Sequence, residues 1–172
     1  MSEENKVTWT NEEIDSHVDE LVQKALKALD DFETFNQEQV DYILAKCSVA
    51  GLDQHGVLAE AAVKETGRGV FEDKAVKNLF ACEYVTNNLR HLKTVGIINE
   101  DALTGVTEIA EPVGVVCGIV PTTNPTSTVI FKSLIALKTR NPIIFSFHPS
   151  AYECSVQAAT VIRDAAIKAG AP

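Results

Sequence analysis

The feature that most constrains this fold is a short apolar run followed by a polar loop. Val113–Val120 is almost continuously apolar, a pattern typical of a strand that is covered on both faces in a parallel sheet. The segment Pro121–Pro125 that follows is a polar loop, and Pro125 stands where proline favours the start of a helix. The run, the loop and the following residues therefore predict one β-loop-α unit.

A second unit of the same kind comes next along the chain. Pro142–Ser146 is a second apolar strand, His148-Pro149 is a loop, and residues 152–168 have the periodicity of an amphipathic helix. From residue 113 onward, the order β-loop-α-β-loop-α predicts parallel strands joined by a right-handed crossover. The predicted fold class is α/β, with an incomplete sheet.

The first hundred residues predict helices. Thr10-x-x-Glu13 and Asn36-x-x-Gln39 are capping boxes, which favour helix starts at both places. Gly51 is predicted to end the second helix, because glycine tolerates the left-handed conformation of a helix cap. The first helix has an apolar stripe made of Ile14, Val18, Leu21, Val22, Ala25, Leu29 and Phe32.

Two further helices and an exposed strand precede the α/β part. The helices are predicted over about residues 54–66 and 72–92. Gly105–Ile109 then alternates apolar and polar side chains, as an exposed strand does.

The acidic charge of the chain is concentrated at its N-terminus. The formal net charge of the 172 residues is −9, and residues 1–41 carry three basic and twelve acidic side chains. This balance disfavours binding to nucleic acids or to anionic membranes. No apolar run approaches the roughly 18–20 residues of a membrane span, and the first residues do not resemble a signal peptide, so we expect a cytoplasmic protein. The acidic segment is either a solvated helix face or a docking patch.

The four cysteines, at positions 47, 82, 117 and 154, do not have the spacing of a metal site. None belongs to a CxxC pair, and no histidine lies at zinc-ligand spacing from any of them, so no metal ligands are predicted. We expect buried, reduced thiols.

The loops after the two apolar strands form the predicted ligand site. Ligands of open α/β sheets bind outside the carboxyl ends of the strands. The loop Val120–Pro125 leads into a helix N-terminus, whose free N–H groups favour negative charge. Two interpretations remain open here: a nucleotide or anion site, or a loop whose threonine and asparagine side chains only cap the helix. No G-x-G-x-x-G or Walker sequence is present.

Residues 111–133 carry a more specific signal. Glu111–Ser133 closely resembles the start of the cofactor domain in CoA-acylating aldehyde dehydrogenases, above all the N-terminal half of the bifunctional aldehyde–alcohol dehydrogenases. Leu137–Pro149 and Glu72–Lys74 continue the resemblance, which covers about residues 15–172. Its most specific part is the Pro-Thr-Thr-Asn-Pro-Thr-Ser stretch.

This resemblance implies a Rossmann-like domain that binds NAD without a glycine fingerprint. The residues expected to contact NAD are Ile119, Val120, Pro121, Thr122, Thr123, Asn124, His148 and Pro149. Asn124 is also expected to help hold the oxyanion of an enzyme thioester, because a fixed N–H donor stabilises charge that develops on a carbonyl oxygen. With coenzyme A as a substrate, the implied reaction is the reversible reduction of acetyl-CoA by NADH to acetaldehyde and CoA.

The resemblance also divides the chain into regions. Residues 1–12 are expected to be a variable N-terminal extension, and residues 13–104 a helical region. Residues 105–172 are expected to form a hairpin and the truncated start of the NAD-binding domain. The hairpin is expected near Gly105–Ile109 and Val113–Val116, where the family begins its oligomerisation hairpin, so the full-length protein is expected to be a homo-oligomer.

The family's nucleophilic cysteine is expected outside this chain. None of the four cysteines matches its position, and the iron of the alcohol dehydrogenase half is likewise expected elsewhere. We therefore expect an N-terminal fragment that is inactive by itself. The alternatives are a fragment of a stand-alone acylating aldehyde dehydrogenase, and a non-catalytic module that docks onto full-length relatives through its hairpin or its acidic helix.

Overall fold

The computed structural model describes residues 9–172, so most of the predicted extension 1–12 lies outside the described residues. The helices are α1 (Asn11–Glu33), α2 (Gln37–Asp53), α3 (His55–Thr66), α4 (Phe71–Leu79), α5 (Val85–Leu89), α6 (Pro125–Lys138) and α7 (Tyr152–Lys168). The strands are β1 (Gly96–Asp101), β2 (Val106–Ala110), β3 (Val116–Val120) and β4 (Ile143–Phe147). None of the described helices is long and apolar enough to cross a membrane.

Both predicted capping boxes are confirmed. The hydroxyl of Thr10 accepts a hydrogen bond from the backbone N–H of Glu13, and the Glu13 carboxylate accepts one from the backbone N–H of Thr10 at 2.8 Å. Asn36 and Gln39 make the same reciprocal pair at the start of α2. These local contacts satisfy backbone donors that have no partner inside the helix, so the two helices begin where the sequence predicts.

The prediction that Gly51 ends α2 is wrong. The helix continues to Asp53, and Gly51 is buried within it. A Cβ atom at this position would lie 2.8 Å from the sulfur of Cys82 and 3.2 Å from Cδ1 of Ile162. Glycine is therefore needed here for the close approach of neighbouring elements, and its conformational freedom is not used.

The helix predicted over about residues 72–92 is divided into three parts. Between α4 and α5, Phe80–Tyr84 forms a π-helical segment. Two residues of this segment, Ala81 and Cys82, are buried in the core, whereas the rings of Phe80 and Tyr84 are exposed and stacked with their centroids 5.3 Å apart. The π-helical turn thus places one side of the segment in the core and both aromatic rings on the solvent-exposed side.

The second strand of the hairpin pairs with a different segment from the one expected. β2 pairs antiparallel with β1, so the expected pairing near Gly105–Ile109 and Val113–Val116 is wrong. The backbone N–H groups of Val113 and Gly114 instead donate to the side-chain oxygen of Asn141, at 2.8 and 3.1 Å. Because these donors are already used, residues 113–115 cannot extend the hairpin, and β3 begins only at Val116.

The predicted parallel strand pair is confirmed. β3 pairs with β4 in register from Val116 opposite Ile143 to Val120 opposite Phe147. The side chains along β3 alternate, with Val120 buried and with Cys117 and Ile119 exposed. The expectation that both faces of this strand are covered is therefore wrong for the described chain, and so is the expectation that Cys117 is buried.

One hydrophobic core joins α2, α6 and α7 beneath β3. Its fully buried residues include Val40, Ile43, Leu44, Cys47, Leu58, Val120, Val129, Ile130, Leu134, Ala158 and Ile162. α1 contributes much less, since only Ala25 and Phe32 of its apolar stripe are buried. Ile14 and Val18 of the same stripe are 46 % and 49 % exposed, so most of the first two turns of α1 face solvent in the described chain.

Candidate functional site

The two predicted loops begin at the same edge of the sheet. Val120, the last residue of β3, lies opposite Phe147, the last residue of β4. Pro121–Asn124 and His148-Pro149 therefore leave the carboxyl ends of neighbouring parallel strands. This is the position at which ligands of open α/β sheets bind.

Asn124 is the residue before α6, but its side chain does not cap that helix. Its Oδ1 atom accepts a hydrogen bond from Nζ of Lys77 at 3.0 Å. Nδ2 of Asn124 donates no hydrogen bond to the described residues, and Asn124 is half-buried. The interpretation that Asn124 serves only as a helix cap is thus wrong, and its amide N–H groups are available to a ligand.

Helix α4 holds this loop through side chains that the sequence reasoning missed. Lys74 is 4 % exposed, and its Nζ atom donates to the backbone oxygen of Thr123 at 2.8 Å. Burial, and then the nearby charge of Lys77, lowers the pKa of the Lys74 ammonium. Lys74, Lys77 and Asn78 have the spacing i, i+3, i+4, which places all three on one face of α4. A polar triplet with that spacing on a short helix was the available signal.

Asn78 fixes the first turn of α6. Its side chain is buried, donates to the backbone oxygen of His55 at 2.9 Å and accepts from the hydroxyl of Thr126 at 2.8 Å. The residues on both sides of Asn124 are therefore anchored to α4 independently of the Asn124 side chain.

A groove of about 560 Å³ opens beside Asn124 and Lys77. Apart from these two residues, its lining is mostly apolar or small: Val76, Phe80, Ala81, Val85, Ser127, Thr128 and Phe131. The groove combines apolar walls with a few polar groups, which is the composition typical of small-molecule sites.

The residues predicted to contact the cofactor differ in what they expose. Ile119 is 68 % exposed, and its backbone oxygen accepts from Lys132 at 2.7 Å. The side chain of Val120 is in the core, so only its main chain can meet a ligand. Pro121 and Thr123 are exposed at the edge of the sheet, while Thr122 and Asn124 are half-buried.

His148 has a defined orientation. Its Nδ1 atom accepts a hydrogen bond from the backbone N–H of Ser150 at 3.1 Å, at the start of the short 3₁₀ turn Pro149–Ala151. In the neutral ring the proton then lies on Nε2, which becomes a donor. Both His148 and Pro149 are exposed, so this donor can be reached by a bound ligand.

Over residues 9–172, no group of three or more histidine, cysteine, aspartate or glutamate side chains has the geometry of a metal site. The polar groups that the described chain offers to a ligand at the strand ends are carbonyl, hydroxyl and amide groups and the imidazole of His148.

Comparison with known proteins assigns this arrangement to a family. The profile of the Aldehyde dehydrogenase family matches residues 2–172. The chain is 68 % identical over 172 residues to the aldehyde-alcohol dehydrogenase of Streptococcus pneumoniae serotype 4, a match that covers 98 % of this chain and 20 % of the relative. The chain thus spans about a fifth of the length of the aldehyde-alcohol dehydrogenases that it matches.

Solved structures of related enzymes have the same fold. The acetylating aldehyde dehydrogenase of Geobacillus thermoglucosidasius matches with a TM-score of 0.89 and 49 % identity, over 91 % of this chain and 35 % of that one. Propionaldehyde dehydrogenase of Rhodopseudomonas palustris, solved with bound CoA, matches with a TM-score of 0.73 and 28 % identity, over 90 % of this chain and 35 % of that one. These matches confirm the predicted α/β fold class, and together with the family profile they establish that this chain belongs to the aldehyde dehydrogenase family.

Proposed function

We propose that this chain forms part of an NAD-dependent, CoA-acylating aldehyde dehydrogenase within a bifunctional aldehyde–alcohol dehydrogenase. The reaction would be acetyl-CoA + NADH + H⁺ to acetaldehyde + CoA + NAD⁺, in either direction. Two observations support the acylating reaction: the 68 % identity to an aldehyde-alcohol dehydrogenase, and the structural similarity to an acetylating aldehyde dehydrogenase.

The observation that carries the proposal is the free amide of Asn124. Lys77 engages Oδ1, so Nδ2 remains available to donate a hydrogen bond. A donor fixed in this way can stabilise the negative charge that develops on a carbonyl oxygen when a thioester forms or breaks. The adjacent groove has apolar walls suited to a short acyl chain.

The residues at the strand ends suit a dinucleotide. Nε2 of His148 is an exposed donor for a ribose hydroxyl, and Thr122 and Thr123 supply hydroxyl groups beside the N-terminus of α6. When bound, NAD would supply or accept the hydride of the reaction. Ile119 and Pro121 are exposed at the same edge and would contact the cofactor through their apolar surfaces.

The chain alone is proposed to be inactive, because its cysteines are poor nucleophiles or badly located. Burial raises the pKa of Cys47 and of Cys82 to about 12, and burial followed by hydrogen bonding to Glu65 raises that of Cys154 to about 12. The thiolate is the reactive form, so these three thiols are unreactive near neutral pH. Cys117 is exposed, but it lies within β3 and not in the loop beside Asn124.

A graft experiment tests the proposal with a complete active site. This chain replaces the matching part of the Geobacillus thermoglucosidasius enzyme, and oxidation of NADH is measured with acetyl-CoA. The graft should turn over, and Asn124→Ala should lower its kcat by about 10²- to 10³-fold, the usual effect of losing one oxyanion donor. Asn88→Ala, at an exposed position of α5, is the matched control and should leave kcat unchanged.

Two outcomes would contradict this proposal. A folded graft without turnover, or an Asn124→Ala variant as active as its parent, would remove the assigned role of this site. Clear turnover by the 172-residue chain alone would overturn its proposed inactivity.

The hairpin favours an additional role in assembly. Ile97, Ile98, Val106 and Ile109 are 40–58 % exposed, and Leu103 at the tip is 98 % exposed. We infer that β1 and β2 bury these side chains against another subunit, which supports a homo-oligomer or a docking module for full-length relatives. Size-exclusion chromatography with light scattering tests this, and a strictly monomeric chain that does not co-purify with a full-length relative would argue against it.

The remaining parts of the expectation are proposals of the same kind. They are a cytoplasmic location, small molecules as the partners, with no nucleic acid and no membrane, and iron bound by a part of the protein outside this chain. A stand-alone acylating aldehyde dehydrogenase is the alternative parent protein, and the reading frame beyond codon 172 distinguishes the two.

A further inference from the structure

The geometry points to Lys77 as a positioning residue that sets the orientation of the Asn124 carboxamide. This inference rests on the proposed function, in which Nδ2 of Asn124 donates to a thioester oxyanion. Lys77 would hold Oδ1 and thereby keep both N–H bonds of Nδ2 available for the substrate.

The chemistry of the lysine ammonium gives the contact its direction. An ammonium group has three donors and no acceptor, so it can face only the oxygen of a carboxamide. A rotation of the Asn124 amide by about 180° would place Nδ2 against Nζ of Lys77, where two donors would meet. The hydrogen bond of 3.0 Å therefore selects one of the two amide orientations.

Lys77 also competes with helix capping. An asparagine at the residue before a helix normally uses Oδ1 to accept from a backbone N–H of the first turn. In this chain no such bond forms at α6, and Lys77 takes the oxygen instead. Without the lysine, the Asn124 side chain is expected to turn toward the first turn of α6, and Nδ2 would move with it.

The loop itself does not depend on Lys77. Lys74 holds the backbone of Thr123, and Asn78 holds the hydroxyl of Thr126. Both anchors remain when Lys77 is replaced. Loss of the Lys77 side chain should therefore change the orientation of one carboxamide while the backbone around it stays in place.

The first arm of the test measures orientation directly. In the ¹⁵N-labelled chain, the two Nδ2 proton signals of Asn124 are identified by their loss in Asn124→Asp. Lys77→Met should shift this pair of signals, and Lys77→Arg, which keeps a donor, should return them toward their original positions. Lys64→Met is the matched control, because Lys64 is also an exposed lysine in the last turn of a helix and makes no hydrogen bond within the described residues.

The second arm measures the consequence for the reaction in the graft with the Geobacillus enzyme. Lys77→Met should lower kcat by about five- to tenfold and leave KM for acetyl-CoA nearly unchanged, since one hydrogen bond between solvent-exposed side chains biases the orientation by about that factor. Lys77→Arg should recover most of kcat, and Lys64→Met should match the parent.

The outcomes separate this inference from the proposed function. Unchanged Asn124 signals in Lys77→Met, or shifted signals with an unchanged kcat, would overturn the positioning role of Lys77. A graft that shows no turnover in any variant would overturn the proposed function, while the spectra still decide whether Lys77 orients the amide.

Discussion

Replacing Asn78 by alanine should destabilise the chain more than any exposed substitution on α4 or α5. The Asn78 side chain is 1 % exposed and joins α4 to the backbone of His55 and to the hydroxyl of Thr126. Asn78→Ala would remove two hydrogen bonds and leave the Thr126 hydroxyl, on a residue that is 2 % exposed, without its partner. An unpaired buried polar group costs about 1–3 kcal/mol and a lost hydrogen bond about 1 kcal/mol, so the expected loss is about 2–4 kcal/mol.

Urea titration followed by circular dichroism measures this loss. Asn88→Ala is the control, because an exposed asparagine on the neighbouring α5 should change the free energy of unfolding by less than about 0.5 kcal/mol. Thr126→Val completes a double-mutant cycle with Asn78→Ala. Since the valine removes the hydroxyl that Asn78→Ala would leave unpaired, the double variant should be about 1 kcal/mol more stable than the sum of the single effects predicts.

Two results would refute this reasoning. An Asn78→Ala variant as stable as the Asn88→Ala control would mean that the two hydrogen bonds contribute nothing net to folding. Strictly additive effects in the cycle would mean that Asn78 and Thr126 do not interact, so the first turn of α6 would be held by other contacts.

Three further predictions concern stability and are checked by the same titration. Gly51→Ala should cost about 1–3 kcal/mol, because the added Cβ would overpack the site, whereas Gly56→Ala, whose Cβ would meet no atom closer than 3.9 Å, should cost nothing; equal effects would contradict this. Asp41→Asn should cost about 2–4 kcal/mol, because it leaves the ammonium of Lys138, whose side chain is 0 % exposed, without its counter-charge; a change below about 0.5 kcal/mol would show that the pair is not stabilising. Burial raises the pKa of Cys47 from 9.0 to about 12, so its thiol ionises first in the unfolded chain. The free energy of unfolding should therefore fall as the pH rises from 9.0 to about 12, and Cys47→Ala should make that fall shallower; an unchanged slope would refute the assignment.

Signals that lie within a few residues of each other were predicted correctly from the sequence. The capping boxes at Thr10 and Asn36 define helix starts through contacts between residues three apart. Pro125 opens α6 as expected, and the two β-loop-α units give the parallel pairing of β3 with β4. The caps and the proline depend on local geometry, whereas the strand pairing follows from the order of the elements along the chain.

The errors occur where a distant contact decides the structure. Gly51 has the residue type of a helix end, but its role is set by packing against Cys82. Val113 has the pattern of a strand, but its N–H group is taken by Asn141, from the loop before β4. Neither partner can be identified from the residues adjacent to Gly51 or Val113.

The candidate site shows the same division. The loop that contains Asn124 could be selected from its position after a strand and from its resemblance to a known family. The polar triplet on α4 is visible as a spacing. Nothing in the sequence relates it to a loop 47–49 residues later, whereas the contacts of Lys77 with Asn124 and of Lys74 with Thr123 do. The supporting side chains of a site are harder to predict than the side chains that touch a ligand, because their partners are far away in sequence.

The attachment of the β3–α6 loop to α4 has a consequence for protein engineering. The loop and the helix form one structural unit, since Lys74, Lys77 and Asn78 contact Thr123, Asn124 and Thr126 respectively. A loop transplanted from a relative into this scaffold would arrive without the helix face to which it is fitted. Recombination between homologues should therefore succeed more often when the crossover point lies before Phe71 or after Lys138 than when it separates α4 from α6.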